Sequence, residues 1–113
     1  MNYLFGGGKI KVPNDLMADA FEEITKDDLV LLIGATSVDD RAAEHAFQNG
    51  IKIKKIAPDN PLRGNDARYY AFRQMAKEAD VINIFYKHKN DEVKQLIEIG
   101  AESGKKVVEY QIH

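Results

Sequence analysis

The sequence predicts an α/β fold in which one parallel sheet is covered by helices on both faces. Short apolar, β-branched segments alternate with longer amphipathic segments along the chain, which is typical of β-α units. Three of the short segments lack strict alternation of polar and apolar residues, as is expected of strands buried on both faces. The chain has 113 residues, enough for one hydrophobic core. We therefore expect a single domain over residues 1–113.

The short apolar segments give five predicted strands. They cover residues 2–5, 29–33, 51–56, 81–86 and 107–111. Strict alternation with helices implies right-handed crossovers, so the strands should lie parallel in the order 3-2-1-4-5. This is a Rossmann-like arrangement of three layers, α/β/α.

Four helices are predicted between the strands, beginning near Asp15, Val38, Asp66 and Asp91. Capping or acidic residues mark three of these starts, at residues 13–15, 37–40 and 90–91. Asn49-Gly50 and Ser103-Gly104 supply the left-handed residue that commonly ends a helix. The last helix has an apolar stripe at helical spacing, made of Val93, Leu96, Ile97 and Gly100. That stripe should pack on the sheet.

The composition excludes several classes of function. Lys and Arg number 16 against 18 Asp and Glu, a net charge of −2, so no nucleic-acid-binding surface is expected. Cysteine is absent, which excludes disulfides, thiolate catalysis and cysteine-bound zinc and fits a reducing compartment. No apolar run approaches the ~20 residues of a membrane helix, and no secretory signal is recognisable. We expect a cytoplasmic protein that does not bind membranes.

The strand order predicts where a ligand would bind. In an open α/β sheet, ligands bind beyond the carboxyl ends of the strands where the strand order reverses, here between strands 1 and 4. Four loops should converge at that point. They supply the candidate ligand-binding residues Gly6, Gly7, Gly8, Lys9, Gly34, Ala35, Thr36, Ser37, Asp40, Arg63, Asn65, His88 and Asn90.

Two of these loops suggest contact with a phosphate or a sugar. The glycines 6–8 could let backbone N–H groups approach a ligand, with Lys9 supplying charge, or could form a plain turn. Their spacing matches neither the dinucleotide-binding nor the P-loop fingerprint. The loop 34–37 leads into a helix N-terminus, which favours an anion. Asp39 and Asp40 there would repel a phosphate and complement the helix dipole, although Asp40 could bind a ribose hydroxyl.

Other side chains carry further predictions. The three histidines lack metal-ligand spacing, so no metal site is expected, and His88 alone lies in a candidate loop. The aromatic residues of the third helix could stack on a base or belong to the core: Tyr69, Tyr70 and Phe72. The lysines within residues 52–55 predict an edge strand or a solvated face.

The stretch from Gly34 to Glu44, G-A-T-S-V-D-D-R-A-A-E, resembles the second-strand motif of YspA-like proteins in the SLOG (SMF/DprA-LOG) superfamily of Rossmann-like domains. That motif is approximately G-G-A-R-G-A-D-R-x-A-E, and the matching residues are Gly34, Asp40, Arg41, Ala43 and Glu44. Downstream, Met75, Ala79 and Asp80 resemble the family's M-x-x-x-A-D, and residues 104–107 resemble its G-K-P-V. The resemblance covers about residues 29–112. It implies a nucleotide or a nucleotide-derived ligand, and we expect no cofactor.

Three positions depart from the family pattern. Val38 replaces a loop glycine, and Ala71-Phe72 replaces an Arg-Asn pair. Glu92-Val93 stands where the family has a Gly-Thr that caps the fourth helix. The last departure removes a phosphate-binding feature of the family.

A second resemblance concerns catalysis. Residues 98–101, E-I-G-A, resemble the E-x-G-x-A motif that carries the catalytic Glu of nucleoside deoxyribosyltransferases. The register relative to the following Gly-Lys turn differs by two residues, so Leu96 falls at the position of that family's Glu. Helical periodicity also turns Glu98 away from the apolar stripe and towards solvent.

Three hypotheses about function follow. The first is a domain that binds a nucleotide- or nucleoside-derived ligand with weak catalysis or none. The second is an enzyme that cuts or transfers an N-glycosidic bond with Glu98, Glu92 or Asp91 as its carboxylate. The third is an interaction protein in which the fold has lost its ligand. A homodimer is a candidate assembly, since related families often pair their subunits.

Overall fold

The computed structural model describes residues 1–34, 36–56 and 65–113, with the main chain alone at residues 65–67. Strands and helices alternate along these residues: β1 (Asn2–Gly7), α1 (Asn14–Phe21), β2 (Leu29–Leu32), α2 (Ser37–Gln48), β3 (Lys52–Lys55), α3 (Asn65–Glu78), β4 (Val81–Tyr86), α4 (Asp91–Glu102) and β5 (Lys106–Gln111). Each predicted strand and helix is found, and the strand ends and helix starts lie within two residues of their predicted positions.

The strands form one sheet in the order β3-β2-β1-β4-β5, and every neighbouring pair is parallel. The predicted Rossmann-like α/β fold and strand order are therefore confirmed. The central strand, β1, pairs with β2 on one side and with β4 on the other. The strand order reverses between β1 and β4, so the loops that follow these two strands lie at one edge of the sheet.

Helices cover both faces of the sheet. On one face, Met17 and Phe21 of α1 pack with α2 against a layer of strand side chains that includes Phe5. On the other face, Phe72 of α3 packs with α4 against a layer that includes Leu4. Because β1, β2 and β4 face an apolar layer on each side, they lack a polar face, which is the pattern that predicted a parallel sheet.

Two predictions of local structure are wrong. Gly6 and Gly7 belong to β1, not to a turn, because they pair with Ile84 and Phe85 of β4. In α4, Val93, Leu96 and Gly100 are buried as predicted, but the fourth buried residue is Ile99, whereas the predicted Ile97 is half-buried. That helix contacts α3 as well as the sheet, so its buried side is broader than one stripe.

Several other expectations are confirmed. Gly50 and Gly104, which follow α2 and α4, have φ angles of +68° and +73°. The strand β3 lies at an edge of the sheet, and all of its residues are exposed, as its lysines predict. Phe72 is a core residue. No helix in the described part of the chain is both long and apolar enough to cross a membrane.

Candidate functional site

A cleft of about 390 Å³ opens where β1 and β4 end, between the loop that follows β1 and the start of α4. Four predicted ligand-binding residues line it: Gly8, Lys9, His88 and Asn90. Glu92, one of the carboxylates considered for catalysis, lies there too. Tyr86 and Lys87 complete its polar lining. The cleft thus occupies the point where the strand order reverses, which is where the sequence predicts a ligand.

The three consecutive glycines serve different purposes. A β-carbon at Gly7 would lie 2.2 Å from the carbonyl oxygen of Phe85, and one at Gly6 would lie 2.6 Å from the ring of Phe72. Both glycines are therefore required for close packing inside the fold. A β-carbon at Gly8 would meet a methyl group of Val93 at 3.5 Å, an ordinary van der Waals distance. Of the three, Gly8 is the one that lines the cleft.

Asn90 shapes the opposite wall of the cleft. Its side-chain oxygen accepts a hydrogen bond of 2.9 Å from the main-chain N–H of Val93, so Asn90 is the N-cap of α4. Its own main-chain N–H donates to the carbonyl oxygen of His88 at 2.9 Å. These two bonds hold the loop in a fixed shape, with the side chains of Lys87 and His88 exposed.

The charges on the lining favour an anion. Lys9 and Lys87 contribute two ammonium groups. Glu92 supplies the one carboxylate among the described residues of the lining, and it forms an ion pair with the guanidinium of Arg68 in α3. Because Arg68 offsets the charge of Glu92, the lysines leave the cleft with a net positive charge.

Tyr86 forms a buried part of the wall and belongs to a three-residue cluster. Its hydroxyl donates to a carboxylate oxygen of Glu109 at 3.0 Å, and the same oxygen lies 3.0 Å from Nζ of Lys89. The hydrogen bond from Lys89 holds the pKa of Glu109 below its usual value and raises that of Lys89. Burial, followed by the contact with Glu109, raises the pKa of Tyr86. The phenol therefore stays protonated and fixed in orientation at neutral pH.

The second predicted loop lies at the same edge of the sheet but contributes differently. Gly34 has a φ of +67°, which favours glycine at the turn after β2. The hydroxyl of Ser37 donates to the carbonyl oxygen of Ile10, which lines the cleft. Ser37 thus ties the start of α2 to the loop after β1. Gly34, Thr36 and Ser37 are not among the described residues on the cleft wall, and ligand contact by them stays a prediction.

The two aspartates at the start of α2 have separate roles. The carboxylate of Asp39 is buried and accepts hydrogen bonds from the N–H and the hydroxyl of Thr36, at 3.2 and 3.3 Å. This is the capping-box geometry, with Thr36 as N-cap in place of the predicted Ser37. Asp40 is exposed, so it remains accessible to a ligand.

The remaining candidate residues do not line the cleft or are not described by the structure. Ala35 and Arg63 lie outside the described residues, and Asn65 is described only as the first residue of α3. Glu98 is exposed on α4, as helical periodicity predicts, and Asp91 is exposed at its first turn. Among the described residues, no group of three or more metal-ligating side chains is close enough to hold a metal ion.

A larger cleft, of about 450 Å³, lies between α1 and α2. Arg41 and Glu44 line it and form an ion pair of 3.3 Å. Both belong to the stretch that resembles the SLOG motif, so part of that motif faces the helix pair and not the strand ends. The smaller cleft at β1 and β4 is the better site candidate, because it combines the strand-order reversal with two lysines.

Sequence reasoning missed Tyr86 and the pairing of Arg68 with Glu92. Lys87 lies in the same predicted loop as His88, and the structure places both on the cleft lining. Tyr86 is the last residue of β4, and a hydroxyl-bearing side chain at a strand end was a usable signal. Arg68 is separated from Glu92 by a whole strand and a loop, and no local pattern signals their pairing.

Two sequence comparisons give no match to this chain. No protein-family model matches the chain. A search of curated proteins gives no significant match. The functional argument therefore depends on the geometry and charge of the cleft itself.

Proposed function

We propose that this domain binds a nucleotide- or nucleoside-derived ligand at the carboxyl edge of its sheet, with weak catalysis or none. The observation that carries the proposal is the cleft at β1 and β4, where Gly8, Lys9 and His88 meet. Its volume of about 390 Å³ lies within the ~300–1,000 Å³ common for small-molecule sites.

The lining supports an anionic ligand such as a phosphate ester. Lys9 and Lys87 are exposed on the lining of the cleft, and Gly8 has no side chain that would fill it. Asn90 caps α4, whose N-terminal dipole adds positive potential at the same wall. The resemblance of residues 34–44 to the SLOG superfamily supports a nucleotide-derived ligand, and membership of that superfamily is part of the proposal. So is a cytoplasmic location, which the absence of cysteine favours.

Ligand-induced stabilisation tests the proposal. The protein is titrated with adenosine, AMP and ADP-ribose while thermal unfolding is followed. A ligand at ~100 times its Kd should add ~2.7 kcal/mol of stability. We expect AMP and ADP-ribose to raise Tm and added salt to weaken the effect, because an exposed lysine–phosphate contact is screened.

Variants at Lys9 and Gly8 locate the binding, with Lys52 as the control position. Lys9→Gln should weaken the response to AMP about tenfold, whereas Lys52→Gln, the same change on the exposed edge strand β3, should leave it unaltered. Gly8→Ala should also weaken binding, because its methyl group would point into the space the ligand needs. Equal effects of Lys9→Gln and Lys52→Gln would contradict this location.

Glu92 keeps the enzyme hypothesis open, because its carboxylate lies in the cleft. Incubation with deoxynucleosides and their monophosphates, followed by detection of free base, tests for cleavage or transfer of the N-glycosidic bond. If such an enzyme exists here, Glu92→Gln should abolish base release and Glu98→Gln, on an exposed position, should not. Loss of activity in Glu98→Gln alone would instead favour the deoxyribosyltransferase resemblance.

The interaction-protein hypothesis predicts a different pattern. Silence of all three ligands in the titration would favour it over the proposal made here. Sedimentation equilibrium would show whether the chain forms the homodimer considered from its sequence. Ligand binding and association are measured separately, so a dimer would not by itself decide between the hypotheses.

A further inference from the structure

Asn83 is a buried polar residue in the middle of the apolar strand β4. It lies between Phe5 of β1 and Val108 of β5 in the sheet register, and its relative exposure is 2%. Its side-chain nitrogen Nδ2 is buried and finds no hydrogen-bond partner among the described residues. A buried amide without a partner destabilises the folded state, so the sheet would be more stable with an apolar residue there.

Asn83 lies on the lining of a cleft of about 200 Å³ on the α1 side of the sheet. The helix α1 ends at Phe21 and leaves β5 partly uncovered, so Val108 and Tyr110 are half-buried. This cleft is formed by the first halves of β1 and β4, by most of the length of β5, and by the end of α1 with the residues that follow it. It is therefore separate from the candidate nucleotide site, which lies where β1 and β4 end.

Carboxylates dominate the charge of this second cleft. Asp19, Glu22 and Glu23 line it from α1 and the residues just after it, and Lys106 is the one cationic side chain on the described lining. Their field reaches Tyr110, whose pKa is raised by burial and then by Asp19 and Glu23. The lining thus combines an apolar base that holds one amide with a rim of net negative charge.

We propose that this cleft binds a small organic ammonium compound that carries a hydroxyl or carbonyl oxygen. The ammonium group would lie against the carboxylates of Asp19 and Glu23, and the oxygen would accept a hydrogen bond from Nδ2 of Asn83. Each partner supplies what the other lacks, because an amide N–H needs an acceptor and the carboxylates need a cation. A simple amine would pair only with the carboxylates. A ligand that carries both an ammonium group and an oxygen would pair with the carboxylates and with the amide.

Ethanolamine and glycinamide are suitable probes, with ethylamine as the control cation that has no oxygen. Binding to the full chain is followed by chemical-shift changes of the Asn83 side-chain amide and by thermal unfolding at constant ionic strength. At least one of the two probes should bind at least about tenfold more tightly than ethylamine, and its binding should shift the Asn83 amide. If both probes bind no better than ethylamine, or if neither binds, the proposal is wrong.

The variant Asn83→Leu separates a binding role from a structural one. In the free protein it should raise the midpoint of urea unfolding, because it removes a buried amide that has no partner. It should also reduce binding of the oxygen-bearing probe to the level of ethylamine. Destabilisation by Asn83→Leu would show that the amide supports the fold, and the proposal would fail.

A second pair of variants tests the acidic rim. Glu23→Gln should weaken binding of the oxygen-bearing probe several-fold. Glu102→Gln, which changes an exposed glutamate at the end of α4, should not.

Sedimentation tests whether the cleft is an interface, and Asn83→Leu and the parent chain should sediment alike. If Asn83→Leu altered association, the cleft would be an interface between copies of the chain, which would overturn the ligand proposal. None of these results depends on whether AMP binds at the other cleft.

Discussion

Gly7 lies against the main chain of Phe85 so closely that a β-carbon at position 7 would come within 2.2 Å of the Phe85 carbonyl oxygen. The contact is made to backbone, which cannot rotate away as a flexible side chain can. The neighbouring N–H of Gly8 donates to that same carbonyl oxygen at 3.2 Å. The junction of β1 and β4 is therefore built around the absence of a side chain at position 7.

Gly7→Ala should lower the free energy of unfolding by about 1–3 kcal/mol, which is the usual cost of overpacking a core. Gly8→Ala, one residue further on, should change it by less than about 1 kcal/mol, because its methyl group meets Val93 at an ordinary distance. Urea unfolding followed by circular dichroism measures both. Similar costs at the two positions would mean that the close approach at Gly7 has been misassigned.

Gly6 and Phe72 should be energetically coupled. A β-carbon at Gly6 would press on the edge of the Phe72 ring at 2.6 Å, so Gly6→Ala should be destabilising in the parent chain. In a Phe72→Leu background the ring is gone, and the added cost of Gly6→Ala should shrink by about 0.5–3 kcal/mol. A double-mutant cycle on the unfolding free energies measures this difference, and additive costs would contradict the contact.

Asp39 and Asp40 should differ sharply in their effect on stability. Asp39→Ala removes the acceptor of two hydrogen bonds from Thr36 and should cost about 1–2 kcal/mol. Asp40→Ala changes an exposed residue and should stay within ~0.5 kcal/mol. Thermal unfolding of the two variants gives the comparison. The reverse order would show that dipole complementarity at Asp40 outweighs the cap.

The pairing of Lys89 and Glu109 should give stability a modest pH dependence. The pKa of Glu109 is lowered in the folded protein, so its contribution is present above the unfolded pKa and is lost as the pH falls through the folded value. The pKa of Lys89 is raised, so its contribution is present below the unfolded pKa and is lost as the pH rises through the folded value.

In the parent chain the urea midpoint should fall as the pH drops below about 4, which is near the ordinary pKa of a glutamate. In Glu109→Gln this fall should be smaller. Because both side chains are partly exposed, solvent screens the pair and the effect at neutral pH should be small. The exposed Glu102 provides the matched substitution, Glu102→Gln. An unchanged acid limb in Glu109→Gln would argue against the ion pair.

The fold could be predicted because its signals are local and repeated. Apolar strands such as β4, caps such as Asn90 and left-handed glycines such as Gly104 each depend on a few adjacent residues. The order of strands then follows from the handedness of β-α-β crossovers. These features do not require knowledge of any contact between distant residues.

The site was predicted less completely, because it depends on contacts between distant segments. Gly6 and Gly7 are needed for close packing, whereas Gly8 faces the cleft. What distinguishes them is contact with Phe72 and Phe85, which lie far from the glycines in sequence. The pairing of Arg68 with Glu92 was likewise invisible in sequence. The loop positions themselves were predictable, since parallel strands must end at one edge of the sheet.

The glycine-packed junction also bears on affinity. A ligand that binds to flexible loops loses part of its interaction free energy to ordering them. Here the strand that leads to Gly8 is already immobilised by its contact with Phe85, and Asn90 fixes the facing loop. The floor of the cleft is thus preorganised, and a ligand there would meet a main chain with little conformational entropy left to lose.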